Sequence, residues 1–500
     1  MLKETEDILC MQIDYLPLKS YNHIVEGNAL TIDWKNTFKD ANINYIMGNP
    51  PFVGARLMSE SQKSDLNNVF QGWKNVGDLD YVCCWYKKCV EFIDNTNIKV
   101  ALVSTNSVCQ GDSVAILWKP LFEKNIEINF AYKTFRWNSE SNEKAKVHCV
   151  IIGFSYKNNI SKSDSSQKII YEGNRPIIVS HINAYLVDAN DIFVESINKP
   201  LCDVPEIGIG NKPIDGGNYL FTEEEKDEFI KKEPRAEKYF KLWYGADEFI
   251  NNRPRYCLYL GECSPSELKS MPECMKRVEN VKQLRLESKS KPTNKLAETP
   301  TKFHVTNIPN SNYMIIPRVS SERRRYIPMG YLDKDILTSD SAHILPNTSL
   351  YHFGILTSNV HMAWMRAVAG RLEMRYRYSK DIVYNNFPWP IDISKGKKNL
   401  KDFEKKLIKI DYPTIDKEQK NKIEETAKQI LEARKEFKDS SLADLYDETM
   451  MPDILRKAHR ENDKLVMRVY NFKISHTEFT EEDCVGALMK LYKEIIDAKK

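Results

Sequence analysis

No stretch of this chain of 500 residues comes near the roughly 20 consecutive apolar residues that a membrane-crossing helix needs. Its opening run, Met1-Leu2-Lys3-Glu4-Thr5-Glu6-Asp7, is too acidic for a secretory signal. The expected location is the cytoplasm, with no membrane partner. Cysteine is scarce and unpatterned: there are eleven, and none form a C-x-x-C pair. Structural zinc and a disulfide framework are therefore unsupported, and each cysteine reads as a small buried hydrophobe of a reducing compartment. An excess of one charge is also lacking, with 73 Lys and Arg against 70 Asp and Glu, so any nucleic-acid surface must arise by local clustering. Internal repeats are absent, and no Gly-x-Gly precedes Gly48. What is present is 42% hydrophobic and 29% charged residues. That is enough to build sizeable cores, and it excludes a disordered acidic tail or a collagen-like chain. The length suggests about three domains.

Strand-like and helix-like patterns alternate at the start. Asn44-Tyr45-Ile46-Met47 is a short apolar run ended by Gly48, as in a buried strand. From Leu79 the apolar positions follow i, i+3, i+4, i+7 spacing through Val82, Cys83, Tyr86, Cys89, Val90 and Ile93, with Asp78 or Asp80 available as cap. Further strands are expected at Lys99–Ser104, Ile126–Tyr132 and Val147–Phe154, giving an α/β domain with a mainly parallel sheet. The polar stretch 157–166 reads as an exposed loop. A middle region rich in Pro, Tyr and Arg contains short strand candidates such as Tyr313–Ile316 and closes at Phe387-Pro388-Trp389-Pro390. Long helical patterns follow at Lys417–Lys435, Met451–Tyr470 and Glu481–Asp497. Three regions are expected: 1–180, 181–390 and 391–500.

Asn49-Pro50-Pro51-Phe52 directly follows the first strand. An exocyclic amine such as that of adenine is a poor nucleophile, because its lone pair is delocalised into the ring. A side-chain amide oxygen (Asn49) and a backbone carbonyl (Pro50) can accept its two N–H bonds together. That pulls the nitrogen toward tetrahedral geometry and frees the lone pair to attack a methyl sulfonium. The prolines fix φ and hold the carbonyl rigidly, and Phe52 would stack on a base flipped from the duplex. The bland alternative is a simple turn. Placement beyond the carboxyl end of a buried strand of an α/β sheet, where ligands bind, favours the site.

The order Gly27-Asn28-Ala29-Leu30, then Gly48-Asn49-Pro50-Pro51-Phe52-Val53-Gly54, resembles the adenine-N6 DNA methyltransferases. The closer resemblance is to the MmeI-like fused restriction–modification enzymes (type IIG, also called IIL). It is carried by Gly77-Asp78-Leu79-Asp80-Tyr81-Val82, by Val103-Ser104-Thr105-Asn106-Ser107 with Gln110-Gly111, by Thr134-Phe135-Arg136-Trp137, and by Val147–Phe154, Lys199–Glu206 and Asp215-Gly216-Gly217-Asn218. The resemblance implies an incomplete class I (Rossmann-like) methyltransferase sheet, a mixed α+β target-recognition domain and an all-α C-terminal region. It implies S-adenosyl-L-methionine as cofactor and double-stranded DNA as partner. It places Asn49, Pro50, Pro51 and Phe52 at the catalytic motif and Phe135 as a second aromatic against the flipped adenine, a core aromatic being the competing reading. Asn28 falls where relatives often have an Asp that holds the cofactor's adenine ring. The family's glycine-rich cofactor loop lies upstream of the motif, and the one Gly-x-Gly elsewhere, Gly208-Ile209-Gly210, reads as a loop. The chain is thus expected to be the C-terminal portion of a larger enzyme, working with an N-terminal methyltransferase or nuclease fragment.

Between Met271 and Gly330 twelve Lys or Arg stand against five Asp or Glu. The sharpest cluster is Arg323-Arg324-Arg325, and a second is Arg366, Arg371, Arg375, Arg377 and Lys380 with Tyr376 and Tyr378 interleaved. Such clusters suit phosphate clamps and bidentate reading of guanine edges, the alternative being a solvated basic face. Two other functions compete with adenine methylation: a DNA-binding specificity module with no catalysis of its own, and a methylase of RNA or of protein glutamine. The large recognition segment argues against the latter.

Overall fold

In the computed structural model of the chain, the alternating runs at the start form one sheet. The structure describes residues 24–39, 41–137, 147–157, 167–474 and 479–500, so the polar stretch expected as a loop lies outside the described residues from 158 to 166. The strands are β1 (Tyr45–Gly48), β2 (Lys99–Thr105), β3 (Ile126–Trp137), β4 (Val147–Tyr156), β5 (Lys168–Glu172) and β6 (Arg175–Val179). Their order across the sheet is β1-β2-β4-β3-β5-β6. The expectation of a mainly parallel sheet needs correction: only β1 with β2 and β3 with β5 are parallel, and the remaining pairings are antiparallel. Nine residues separate β3 from β4 and two separate β5 from β6, fewer than the dozen or more that a parallel crossover needs, in keeping with their antiparallel pairing. Gly173, at φ 58°, makes the second of these turns.

This topology points β1, β2 and β3 the same way, so their carboxyl ends share one edge of the sheet. Pairing aligns Gly48 with Leu102 and Leu102 with Ile152, then Thr105 with Cys149 and Cys149 with Phe135. β1 pairs only with β2. Its other edge carries no strand among the described residues, and Tyr45 and Met47 are 68% and 82% exposed.

Helix α1 (Glu60–Val69) opens with a capping box between Ser59 and Gln62. Helix α2 (Cys83–Phe92) buries Cys83, Cys84, Tyr86, Cys89 and Val90 as the periodicity requires. Its cap is neither Asp78 nor Asp80 but Val82, which makes no capping side-chain bond; Asp80 turns instead toward the end of β2. Burial pushes the thiols of Cys84, Cys89 and Cys109 up to about 12, and every described cysteine is free. These are inert packing groups.

The middle of the chain holds two four-stranded sheets. One runs Leu337–Thr338, Phe240–Tyr244, Arg255–Leu258, Leu220–Phe221, and the other Gly330–Leu332, Tyr313–Pro317, Ala342–Pro346, Gly208–Ile209. The second corrects the reading of Gly208-Ile209-Gly210 as a loop, since Ile209 and Gly208 pair with His343 and Ile344. A Cβ on Gly208 would lie 2.4 Å from Asn307 Nδ2, and one on Gly210 would lie 2.0 Å from the Ser339 carbonyl oxygen. These glycines permit close backbone approach and cradle no phosphate.

The first of these sheets and helix α3 (Pro272–Leu286) enclose a separate small core around Tyr219, Trp243, Cys257 and Val281. Arg285 of α3 is fully buried within this part. Its guanidinium donates to the carbonyls of Ile214, Leu296, Thr299, Pro213 and Lys302 at 2.7–3.1 Å. The Leu296 and Thr299 carbonyls also accept the Thr299 and Lys302 N–H groups at 3.2 and 3.0 Å, whereas those of Pro213, Ile214 and Lys302 depend on Arg285.

The other apolar residues form one continuous core from Leu30 through the second sheet to Ile495. It includes α4 (Asn359–Val368), α5 (Lys417–Lys435), α6 (Asp453–Val469) and α7 (Glu481–Lys499). The pattern expected at Met451–Tyr470 starts later than read because Pro452 is the N-cap. The buried face of α6 carries three polar residues. His459 Nε2 bonds the Tyr446 hydroxyl at 2.8 Å and its ring stacks on Tyr326 at 4.1 Å. Asn462 donates to the Gly354 carbonyl at 2.8 Å. Asp463 accepts from the Tyr326 hydroxyl at 2.6 Å and from the Asn359 N–H at 2.7 Å. The C-terminal helices are thereby keyed to the middle region by hydrogen bonds as well as apolar contact.

Two outcomes follow for stability. Arg285→Met, which fills similar volume but removes five hydrogen bonds and leaves the Pro213, Ile214 and Lys302 carbonyls without their donor, is expected to lower stability by about 3–5 kcal/mol, measured by urea denaturation. Burial raises the Asp463 carboxyl from 3.8 to about 6 despite its two hydrogen bonds. A raised acid stabilises the fold below its unfolded value and loses that contribution as pH climbs through the folded one. Stability relative to Asp463→Asn should therefore fall between pH 3.8 and about 6 and run parallel to it above, as read by thermal melts across that range.

Candidate active site

β1 delivers Asn49 to the shared carboxyl edge of the sheet and ends there, because Pro50 and Pro51 have no N–H to continue the ladder. Asn49 is exposed, Pro50 buried, Pro51 exposed and Phe52 half-buried against the main core. The next residues are pinned: the Val53 carbonyl accepts the Tyr81 N–H at 3.0 Å, and Leu57 N–H closes a turn on Gly54 at 2.8 Å. From Gly54 to Leu57 the chain walls a cavity of about 1460 Å³. Asn49–Phe52 stand just ahead of that wall and are not part of it.

The loop after β2, the neighbouring strand, supplies the adjoining wall through Asn106, Ser107 and Gln110–Ser113. Asp80 ties the two loops together. Its Oδ2 accepts the hydroxyls of Thr105 at 2.8 Å and Ser107 at 3.1 Å, while the backbones of Val53 and Val82 favour its charge. Burial outweighs all of these and raises its pKa above the usual carboxylate value. Burial also raises Asp112, and nearby Asp78 adds to the effect. Gly111, at φ 56°, brings this loop against the middle region: its N–H bonds the Val368 carbonyl at 3.2 Å, and a Cβ would lie 3.3 Å from Gly370 Cα. Only glycine fits that crossing.

The opposite wall is basic and comes from the middle region, through Arg318, His343, Arg371, Arg377 and Lys380. Burial lowers the Arg318 pKa, and the guanidiniums of Arg377 and Arg56 lower it further. Arg318 thus feels two neighbouring guanidiniums from two regions, with Asp340 offsetting part of their effect. Arg377 is exposed, Arg371 lies over the Tyr376 ring at 4.2 Å, and its Nε has no partner. Arg56 and Arg318 were missed from sequence. The position of Arg56 right behind the Asn-Pro-Pro-Phe motif was the available signal; Arg318 was hidden in a diffuse count of charges.

The other residues singled out from sequence lie elsewhere. Arg375 pairs with Glu373 at 3.1 Å. Arg323, Arg324 and Arg325 stand off the cavity toward the C-terminal helices, where Arg323 helps to lower Asp447 and Arg325 lies 5.8 Å from the Tyr326 ring. Arg366 is neutralised by two bonds to Glu481 at 2.7 and 2.8 Å. Phe135 is half-buried near the end of β3, level with Thr105 across the sheet. Asn28 is exposed; its Oδ1 accepts the Leu30 N–H at 3.0 Å, and its Nδ2 donates to Asp65 at 3.1 Å. Asp65 also takes the Tyr81 hydroxyl at 2.8 Å, so a carboxylate that no sequence motif announced stands beside the amide.

Comparison with known proteins gives this arrangement a lineage. The MmeI DNA-methyltransferase domain model matches residues 2–172, the MmeI target recognition domain model residues 188–391, and the MmeI C-terminal domain model residues 415–498. The chain belongs to the MmeI family. Its fold superposes on the type IIL restriction–modification enzyme MmeI, solved in complex with DNA, with a TM-score of 0.87 and 41% identity over 99% of this chain and 63% of that one. DNA methyltransferase A of Bacillus subtilis (strain 168) is 37% identical over 484 residues, which is 96% of this chain. The MmeI-family chain spans 51% of that protein's length. The family architecture, a methyltransferase domain followed by recognition and helical C-terminal domains, is the one laid out above. Among the described residues, no helix is long and apolar enough to cross a membrane, and no group of three or more His, Cys, Asp or Glu is placed to hold a metal.

Proposed function

We propose that this chain carries the catalytic motif and the recognition portion of a site-specific adenine-N6 DNA methyltransferase of a restriction–modification system, within domains 1–180, 181–390 and 391–500. One observation carries the reading. Asn49-Pro50-Pro51-Phe52 sits at the carboxyl edge of the sheet, beside a cavity lined by Arg56 on the near wall and by Arg318 and Arg377 on the far wall, where both neighbours lower the Arg318 pKa. Guanidiniums that face an opening and have no salt-bridge partner among the described residues are suited to a polyanion, and counterion release would drive its binding. The cavity is large enough to admit a base turned out of a duplex.

In this reading Asn49 Oδ1 and the Pro50 carbonyl accept the two amine hydrogens of the extruded adenine. Pro51 keeps the carbonyl rigid, and Phe52, with Phe135 from β3, stacks on the base. S-adenosyl-L-methionine, when bound, supplies an electrophilic methyl group. The residues present fit one end of it: Asn28 and Asp65 form a polar pair suited to an aminopurine edge. The edge of β1 that carries no strand among the described residues, with Tyr45 and Met47 bare, supports a second polypeptide completing the sheet and the cofactor pocket, namely the N-terminal methyltransferase or nuclease fragment. Arg371 and Arg377 face the DNA from the cavity, with Arg375 and Arg323–Arg325 flanking it. A cytoplasmic site of action fits this chemistry.

Methyl transfer to duplex DNA should appear when the chain is co-expressed with its upstream segment, and Asn49→Ala should reduce it at least 100-fold, roughly the loss of one preorganised polar contact, while DNA affinity is kept. DNA binding with no transfer under any pairing would instead make the chain a specificity module. Arg318→Gln and Arg377→Gln should each reduce the slope of log affinity against log salt by about 0.9, measured by fluorescence anisotropy. An unchanged slope would remove that arginine from the DNA face.

A further inference from the structure

A single bare leucine on a protein surface needs no explanation. Leu57 is held too firmly, and too near the catalytic motif, to pass as one. It lines the large cavity with its side chain 82% exposed, yet the backbone on either side of it is fixed. Its N–H bonds the Gly54 carbonyl at 2.8 Å and closes a turn, and the Val53 carbonyl just before that turn accepts the Tyr81 N–H at 3.0 Å. On the other side Met58 is buried in the main core and Ser59 caps α1. A turn brings its first and fourth Cα within about 7 Å, and Gly54 follows Phe52 by two residues, so the Leu57 Cα lies within about 14 Å of that of Phe52. Arg56 in the same turn is exposed, and its charge is felt at Arg318. The turn therefore faces the basic wall.

What covers Leu57 follows from the chemistry around it. Arg56, Arg318 and Arg377 suit a polyanion, but a leucine among them can neither neutralise a phosphate nor hydrogen-bond to one. The apolar surface that a duplex does own is the faces of its stacked bases. Those faces are closed to a side chain except where a base has left the stack, and aliphatic side chains are the ones that enter between base steps. Extrusion of a base is the event that the neighbouring Asn49–Phe52 motif requires. Resting on the methyltransferase reading above, we propose that Leu57 enters the gap left in the duplex by the extruded adenine and packs between the flanking bases. It is a positioning residue: it touches the vacated stack and not the reacting atoms, and it favours the extruded state by burying apolar surface there. The fixed turn lets it do so without first being ordered.

The test uses the assembled methyltransferase, saturating and in excess over a duplex with one target site, so that the single-turnover rate reports the extruded population and not affinity. Leu57→Ala is expected to lower that rate on a paired adenine about tenfold, the scale of burying one leucine side chain. Leu57→Met, apolar and of similar volume, should keep most of it. With 2-aminopurine at the target position, the fluorescence rise that reports unstacking should shrink in Leu57→Ala as well. On a duplex whose target adenine faces a mismatched base, extrusion is cheap, and Leu57→Ala should lose no more than about twofold. The slope of log affinity against log salt should not change, since a leucine neutralises no phosphate. An unchanged rate on the paired adenine overturns the inference, as does an equal loss on paired and mismatched duplexes. An early thermal melt or failed assembly of Leu57→Ala also overturns it, since the side chain would then be packing against protein. So does the whole pattern appearing in Leu372→Ala instead, because Leu372 faces the same cavity from the recognition side and is 51% exposed. Asn49→Ala run alongside separates the two levels. Transfer that survives it, or no transfer from any assembly, overturns the methyltransferase reading; transfer that it removes, with Leu57→Ala losing equally on both duplexes, overturns this inference alone.

Discussion

The parallel pairing of β1 with β2 is the constraint on which the site depends. Its register brings both strands to the same sheet edge within a few residues, so that the chain leaving β1 and the chain leaving β2 must enclose one volume. The prolines after Asn49 end the ladder abruptly, and Asp80 then joins the two exits through hydroxyls and backbone. Without that pairing the Asn-Pro-Pro-Phe tetrapeptide would be an ordinary turn. With it, the turn leads straight into one wall of a cavity whose far side is built by another region of the chain.

The two sides differ in how they treat charge. On the sheet side, carboxylates are drawn inward and burial raises their pKa. On the far side, the Arg318 guanidinium is depressed by burial and by Arg377, with Asp340 only partly offsetting them. A surface of this kind is electrostatically frustrated when empty. Elsewhere the molecule pairs its arginines readily, as in Arg366 with Glu481 and Arg375 with Glu373. The unpaired set at the cavity is therefore a local property and does not follow from a basic composition.

The sequence made the elements with strong periodicity legible: Lys417–Lys435 is a helix over those very residues, and four of the six sheet strands fall where apolar runs end in polar ones. The motif after β1 was also legible, because two adjacent prolines behind a strand have few structural uses. Strand direction was not, since apolar runs read alike in parallel and antiparallel sheets; the short returns after β3 and β5 decided it. The Arg323–Arg325 run drew notice by density, but which face it occupies depends on packing by the C-terminal helices. Leu57 drew no notice, since nothing local in the sequence reveals that its side chain is left bare. Asp80 was read as a helix cap on spacing, and long-range hydroxyls claimed it instead.

The small core around Tyr219, Trp243, Cys257 and Val281 is closed on itself and stitched by Arg285 from within. Its interior does not merge with the hydrophobic mass shared by the sheet and the C-terminal helices. Changes on its outer surface need not disturb the packing behind the sheet edge that carries Asn49. A fold partitioned in this way separates the inheritance of chemistry from the inheritance of address.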